Sequence, residues 1–262
     1  MNYNFCAKSD PGRARQNNED SVVFDESTCT VVLADGMGGY NAGEIASGMA
    51  TAFIKSELSR WLSEAGDGAQ LKEVRRAMEI CVDNANLSIF NSANSNAQYA
   101  GMGTTLVMGV FRDEKLLVGH IGDSRCYRFR SGVLEQITKD HSLLQEQIDA
   151  GLITLEQAAT SSIKNLVTRA LGVEDVVMLE VNEHLVEVGD VYLLCSDGLS
   201  DMVDDAEIAK IVAENADLTE MAQRLIEAAN ANGGRDNISV ILALASGATE
   251  KRGLIARLLG KV

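Results

Sequence analysis

The chain has 262 residues, 46% of them hydrophobic, with 38 acidic against 23 basic side chains and a net charge of −15. That apolar supply excludes a disordered or collagen-like chain, and no apolar run approaches the ~20 residues that span a bilayer. The acidic balance repels nucleic acid and anionic lipid, so neither is expected as a partner. The first ten residues, MNYNFCAKSD, have neither a basic leader region nor an apolar one, so a cytoplasmic protein is expected. The five cysteines (Cys6, Cys29, Cys81, Cys126 and Cys195) are scattered without a C-x-x-C pair, which fits reduced thiols used as core filler.

Strand-like runs come first, at Tyr3–Lys8, Ser21–Asp25 and Cys29–Leu33. Two amphipathic helices follow. Ile45, Met49, Phe53, Ile54, Leu58, Trp61 and Leu62 share one helical face, as do Leu71, Val74, Met78, Cys81, Ala85 and Ile89. Ala65–Gly68 separates them into an antiparallel pair. Gly103–Thr138 reads as three or four strands with turns at Arg112–Glu114 and Arg130–Gly132, and Leu143–Leu171 as short helices and loop. Strands are expected again at Val176–Val181 and Val191–Cys195, then helices at Ala206–Glu214 and Leu218–Ala231, the latter stopped by Gly233-Gly234. Ile238–Leu244 is the last strand. Strands in blocks between paired helices predict an α+β fold, with two antiparallel sheets flanked by helix pairs.

The chain has no G-x-S-x-G elbow, no H-E-x-x-H and no Walker A loop, and it contains three histidines (His120, His141 and His184). Its chemistry therefore falls to carboxylates. Three apolar strands each run into an aspartate beside glycine: Val31–Gly36 into Asp35, Gly119–Asp123 into Asp123, and Tyr192–Gly198 into Asp197. Asp236 lies in Gly233-Gly234-Arg235-Asp236-Asn237, before the last strand, and Glu19-Asp20 precedes the second. Each alone reads equally well as a cap or turn residue. Five such clusters at strand ends are costly unless cations compensate them, and hard divalent ions with oxygen ligands are the usual compensation.

In these residues the chain resembles the metal-dependent Ser/Thr protein phosphatases of the 2C type, in their bacterial form. The resemblance runs from Ser9 to Leu244 in eight ordered blocks. They are Ser9–Ser21; Ala34–Gly39 with Gly43-Glu44 and Ala46-Ser47; Gly103-Thr104-Thr105; Gly122–Arg125; Thr138–Ser142; Thr168–Gly172; Cys195–Leu199; and Gly233–Asn237. It implies a four-layer α-β-β-α sandwich and hydrolysis of phosphoserine and phosphothreonine in proteins by water activated at a binuclear Mn²⁺ or Mg²⁺ centre. Asp35 would bridge both ions, with the Gly36 carbonyl completing one shell. Asp197 and Asp236 would hold one metal, and Glu19 and Asp20 would support the sites directly or through water. Asp123 matches a position that binds a looser third ion with Asp197, and Arg15, favoured over Arg13 by spacing, matches the arginine that holds the substrate phosphate.

Two departures leave the proton donor open. Met37 and Tyr40 stand where relatives carry histidines, so metal-bound water, Tyr40 and His141 are the candidates, with water favoured. His141 is more readily structural or flap-positioning, and His120 and His184 read as ordinary strand-edge residues. Leu143–Asn165 matches a flap, with Gly151 as a hinge. Residues 1–246 are expected to form the domain and 247–262 a short basic tail, with Lys251–Val262 carrying +4 and an apolar helical stripe. The expected partners are phosphorylated proteins, including a Ser/Thr kinase, and the expected state is a monomer. Two alternatives stay open on these residues: a catalytically silent binder of phosphoproteins or a kinase, and a phosphatase dedicated to one regulatory phosphoprotein.

Overall fold

The computed structural model describes residues 1–39, 42–154, 157–158 and 166–247. Its strands are β1 (Asn2–Asp10), β2 (Asp20–Asp25), β3 (Thr30–Met37), β4 (Gly103–Thr104), β5 (Leu106–Arg112), β6 (Lys115–Ile121), β7 (Arg125–Arg130), β8 (Val133–Gln136), β9 (Glu180–Leu185), β10 (Val191–Cys195) and β11 (Ile238–Ser246). Its helices are α1 (Ala42–Ala65), α2 (Leu71–Ser95), α3 (Leu143–Asp149), α4 (Asp197–Ser200), α5 (Asp205–Glu214) and α6 (Leu218–Ala231). One sheet has the order β1-β11-β10-β7-β8, the other β2-β3-β5-β6-β9 with β4 paired to β3. Every pairing is antiparallel.

The side-chain alternation of β3 shows how the layers close. Val31 and Leu33 face the other sheet, packing with Val107, Val118, Tyr192, Leu194 and Ile241. Val32 and Ala34 face the opposite way, against Ala46, Ala50, Ile54 and Leu58 of α1 and Met78 and Ile89 of α2. A strand buried on both faces needs an unbroken apolar run, which is what Val31–Ala34 supplies. On the far side, α5 and α6 cover β10 and β11 through Ile208, Val212, Met221, Leu225 and Ile226. This is the four-layer α-β-β-α sandwich.

The buried stripe of α1 is Ala42, Ala46, Ala50, Ile54, Leu58 and Leu62. Small residues bring its first half close to the sheet, and Ile45, placed on that face by pattern, is 37% exposed. A second difference lies at Val176–Val181, where strand pairing starts only at Glu180, opposite His120. The buried Asn86 of α2 donates to the carbonyl oxygens of Glu174 and Asp175 and accepts from the Gly172 N–H. That clamp holds the chain off the sheet edge until Glu180, leaving Val176 and Met178 exposed. The 103–138 region folds as five strands because the Gly103-Thr104 pair forms its own two-residue ladder with β3.

Gly151 has φ 68°, just past the Ala150 cap of α3. The remainder of the expected flap at 155–156 and 159–165, Tyr40, and residues 248–262 of the expected tail lie outside the described residues. The described cysteines are all unbridged, with Cys81, Cys126 and Cys195 buried.

Candidate active site

Antiparallel pairing brings alternating strand ends to one end of the sandwich. Asp20, opening β2, is the register partner of Asp35 near the end of β3. Ile121, ending β6, pairs with Leu106, opening β5. Cys195, ending β10, pairs with Arg125, opening β7, and with Val240 near the start of β11. The expected residues therefore converge on one cleft of about 300 Å³, lined by Arg15, Glu19, Asp35, Gly36, Asp123, Asp197 and Asp236 together with Met37, Gly38, Thr105 and Val167. Asp20 lies outside this lining, and Arg13 is not part of it.

Asp35 sits inside β3, held at its backbone from two directions. Its N–H donates to Thr105 Oγ1 (3.1 Å), and its carbonyl accepts from the Thr105 N–H and Thr104 Oγ1, both at 2.8 Å. The Gly36 N–H donates to the Glu19 carbonyl (3.1 Å). A Cβ on Gly36 would lie 2.1 Å from the Gly43 carbonyl oxygen, so the start of α1 seats on this strand only because both positions are glycine. Gly122, with φ 101°, turns the chain to present Asp123.

The electrostatics are those of crowded carboxylates. Withdrawal from solvent, reinforced by Asp20, Asp197, Asp123 and Asp236, holds Asp35 well above the usual carboxylate range. Desolvation, then Asp123, Asp201 and Asp236, pushes Asp197 up to about 8. Asp123 rises to about 6 through desolvation and the neighbouring Asp140. Asp20 rises to about 6 through desolvation, against hydrogen bonds that favour its charge. Desolvation also raises Glu19, with Arg15 opposing it.

Arg15 is the cationic side chain in the lining. Its Nη2 donates to Asp236 Oδ2 at 2.8 Å, and its side chain is 53% exposed. A pair this open to water contributes about 0–1 kcal/mol, so the guanidinium is readily turned to an incoming anion.

These residues fit divalent cations. Asp20 Oδ2 accepts from Ser196 Oγ (2.8 Å), while the buried Asp20 Oδ1 has no hydrogen-bond partner among the described residues. The donor set is all oxygen, and burial together with neighbouring carboxylates raises Asp35, Asp123 and Asp197 in a way that hard cations relieve.

A second cluster, His120, His141 and Glu180, brings three ligand atoms within 4.8 Å. Its two imidazoles stack with centroids 4.6 Å apart and planes at 17°. In-plane lone pairs of stacked rings run side by side and do not converge on one ion. Arg169 Nη1 also lies 3.5 Å from His141 Nε2, so a cation fits poorly there. His141 is structural: its Nδ1 accepts from the Gly122 N–H (3.2 Å), and its Nε2 faces Glu180 Oε2 (3.2 Å). His120, expected at a strand edge, is fully buried in an interior strand, with Nε2 donating to the Lys139 carbonyl (2.7 Å). His184 lies on the edge strand β9.

Residue patterns alone gave no role to three groups. Asp201 adds its charge to Asp123 and Asp197; its spacing of four from Asp197 was the available signal. Thr104 and Thr105 fix Asp35, and Asn237 binds the loop that carries Arg15. The contacts of Thr104, Thr105 and Asn237 span 69 to 226 positions of sequence and leave no local pattern.

Residues 12–243 match the family described as protein phosphatase 2C. The chain belongs to the protein phosphatase 2C family. It is 37% identical over 238 residues to the serine/threonine phosphatase Stp of Listeria monocytogenes, covering 90% of this chain and 93% of that one. It is 40% identical over 240 residues to the serine/threonine protein phosphatase PstP of Mycobacterium tuberculosis, covering 91% of this chain and 44% of that longer one. The crystal structure of the PstP catalytic domain with two manganese ions superposes with a TM-score of 0.82 at 38% identity, over 94% of this chain and 99% of that one. Metal-dependent hydrolysis of phosphoserine and phosphothreonine is the activity this membership carries, with phosphorylated proteins as substrates. Among the described residues no helix is long and apolar enough to cross a membrane.

Proposed function

We propose that Asp35, the Gly36 carbonyl, Asp197 and Asp236 hold two Mn²⁺ or Mg²⁺ ions, with Glu19 and Asp20 supporting them. Asp123 and Asp197 hold a looser third. The observation that carries this reading is the convergence of Glu19, Asp35, Gly36, Asp123, Asp197 and Asp236 on one cleft, where burial and then the neighbouring carboxylates raise Asp35 and Asp197. The bound ions supply neutralising charge and acidify water, the two things a phosphomonoester dianion denies a nucleophile.

The chain's own residues do the rest. Thr104 and Thr105 fix Asp35 at the cleft. Arg15 offers a planar donor fork for two phosphate oxygens and orients the phosphoryl group. Met37 replaces a titratable side chain at the rim, and His141 is engaged by Gly122 and Glu180, outside the lining. Water is favoured as the proton source for the leaving alkoxide, with Tyr40, outside the described residues, as the alternative.

The complete carboxylate set favours turnover over a silent binder. The setting we propose is cytoplasmic, with the chain acting as a monomer against a Ser/Thr kinase and residues 247–262 forming a separate basic tail.

Arg15→Ala is expected to raise KM for a phosphothreonine peptide by about 10–100-fold, the worth of a charged hydrogen bond to a dianion, with a smaller fall in kcat. Steady-state kinetics at saturating Mn²⁺ check this. An unchanged KM would remove Arg15 from phosphate binding.

A further inference from the structure

The loop carrying Arg15, residues 11–19, joins β1 to β2 without regular structure of its own. One side chain from the other end of the sequence holds both its ends. Asn237, 5% exposed, lies between Asp236 and the start of β11. Its Oδ1 accepts from the Glu19 N–H at 2.8 Å, and its Nδ2 donates to the Asn17 carbonyl at 2.9 Å and the Pro11 carbonyl at 3.0 Å. The Gly234 carbonyl accepts from the Arg13 and Ala14 N–H groups at 2.7 and 3.1 Å, completing the seam. Residues 11, 13, 14, 17 and 19 are thus stitched to 234–237, while the Arg15 side chain reaches over to Asp236.

We propose that Asn237 is the positioning residue for Arg15: its amide closes the base of the 11–19 loop and sets where the guanidinium meets the substrate phosphate. The proposal rests on the phosphate-binding reading of Arg15. Asn237 touches no substrate in this scheme; it orders the loop's backbone before phosphate arrives, so that binding does not bear that entropy cost. The side-chain chemistry is demanding. One planar group must accept at one end and donate twice at the other. Aspartate would set a carboxylate oxygen against the Pro11 and Asn17 carbonyls, and glutamine would displace the amide by a methylene. The strand below does not depend on the side chain, because β11 is held along its length by backbone pairing to β1 and to β10.

The test is a double-mutant cycle of Asn237→Ala and Arg15→Ala at saturating Mn²⁺, with hydrogen exchange on the same proteins. Asn237→Ser replaces the alanine variant if that one fails to fold. Asn237→Ala is expected to raise KM for a phosphothreonine peptide, and the inhibition constant of orthophosphate, by about 10-fold with kcat within about 3-fold. Amide exchange should rise in residues 12–18 and stay unchanged in β10 and β11. In the Arg15→Ala background the same substitution should change KM by less than about 2-fold, since the group it positions is gone. Multiplying effects in the double variant, a kcat loss with KM unchanged, or wild-type exchange in the loop would each overturn the proposal. Failure of the underlying reading shows separately, as an Arg15→Ala single variant with wild-type KM, and the exchange measurement still decides whether Asn237 holds the loop.

Discussion

Asp35→Asn is expected to lower kcat for a phosphothreonine peptide by about 10³-fold or more, and at the same time to raise the melting temperature of the metal-free protein. Loss of one preorganised electrostatic contact at a reacting phosphate costs about 10²–10³-fold, and Asp35 is assigned contact with two ions, so its effect lies at or above the upper figure. The amide has the shape of the carboxylate, and the Asp35 backbone is fixed by Thr104 and Thr105 independently of its side chain. The fold is therefore retained. The stability gain follows from the same burial and crowding that make the site: desolvation, then Asp20, Asp197, Asp123 and Asp236, penalise a charge on Asp35, and an amide carries no charge to penalise. Steady-state kinetics and thermal melts of chelator-treated protein check the two halves. A folded Asn variant with near-normal turnover would take Asp35 out of the ion-binding set.

The metal-free protein is also expected to lose stability as pH rises. Without ions, Asp20 and Asp123 titrate near 6 and Asp197 near 8, all above the range of an unfolded carboxyl. A folded state that binds more protons than the unfolded one loses stability as pH rises. The sign is therefore a fall in stability that begins above about pH 4, where unfolded carboxylates ionise, and continues through about pH 8, where Asp197 ionises. A carboxyl whose pKa is higher by 1 in the folded state than in the unfolded one contributes about 1.4 kcal/mol, and 1 kcal/mol moves Tm by about 2–4 °C at this chain length. Melting of chelator-treated protein should thus drop by about 5 °C or more between pH 5 and pH 8.5. Mn²⁺ at 100 times its Kd adds about 2.7 kcal/mol, and its stabilising effect should grow over the same interval as protons cease to compete. A metal-free melting temperature that climbs with pH would contradict the crowded-carboxylate description.

What the sequence shows of this site and what it hides follow from the range of each interaction. The layers were legible because β3 is apolar on both faces and runs directly into Asp35-Gly36. By contrast, the strand expected at Val176–Val181 begins at Glu180 because Asn86, about ninety positions away, ties down Glu174 and Asp175. Ile45 shares the helical period of its neighbours, yet alanines, not large residues, form the side of α1 that meets the sheet. His120 reads as a strand-edge residue because the pairing of β9 that makes its strand interior joins segments about sixty positions apart. Asn237 stood in a recognisable block, but its work is done 218 to 226 positions away, where periodicity carries no information.

The central claim, that carboxylates at one end of this sandwich hold divalent ions for phosphate hydrolysis, is tested most directly by phosphate release from a phosphothreonine-bearing protein. Chelator-treated chain is compared with and without added Mn²⁺, beside an Asp236→Asn variant of matching circular dichroism. Release is expected to depend on Mn²⁺ and to be absent from the variant. Release that persists without any divalent ion, or that Asp236→Asn leaves intact, would contradict the claim.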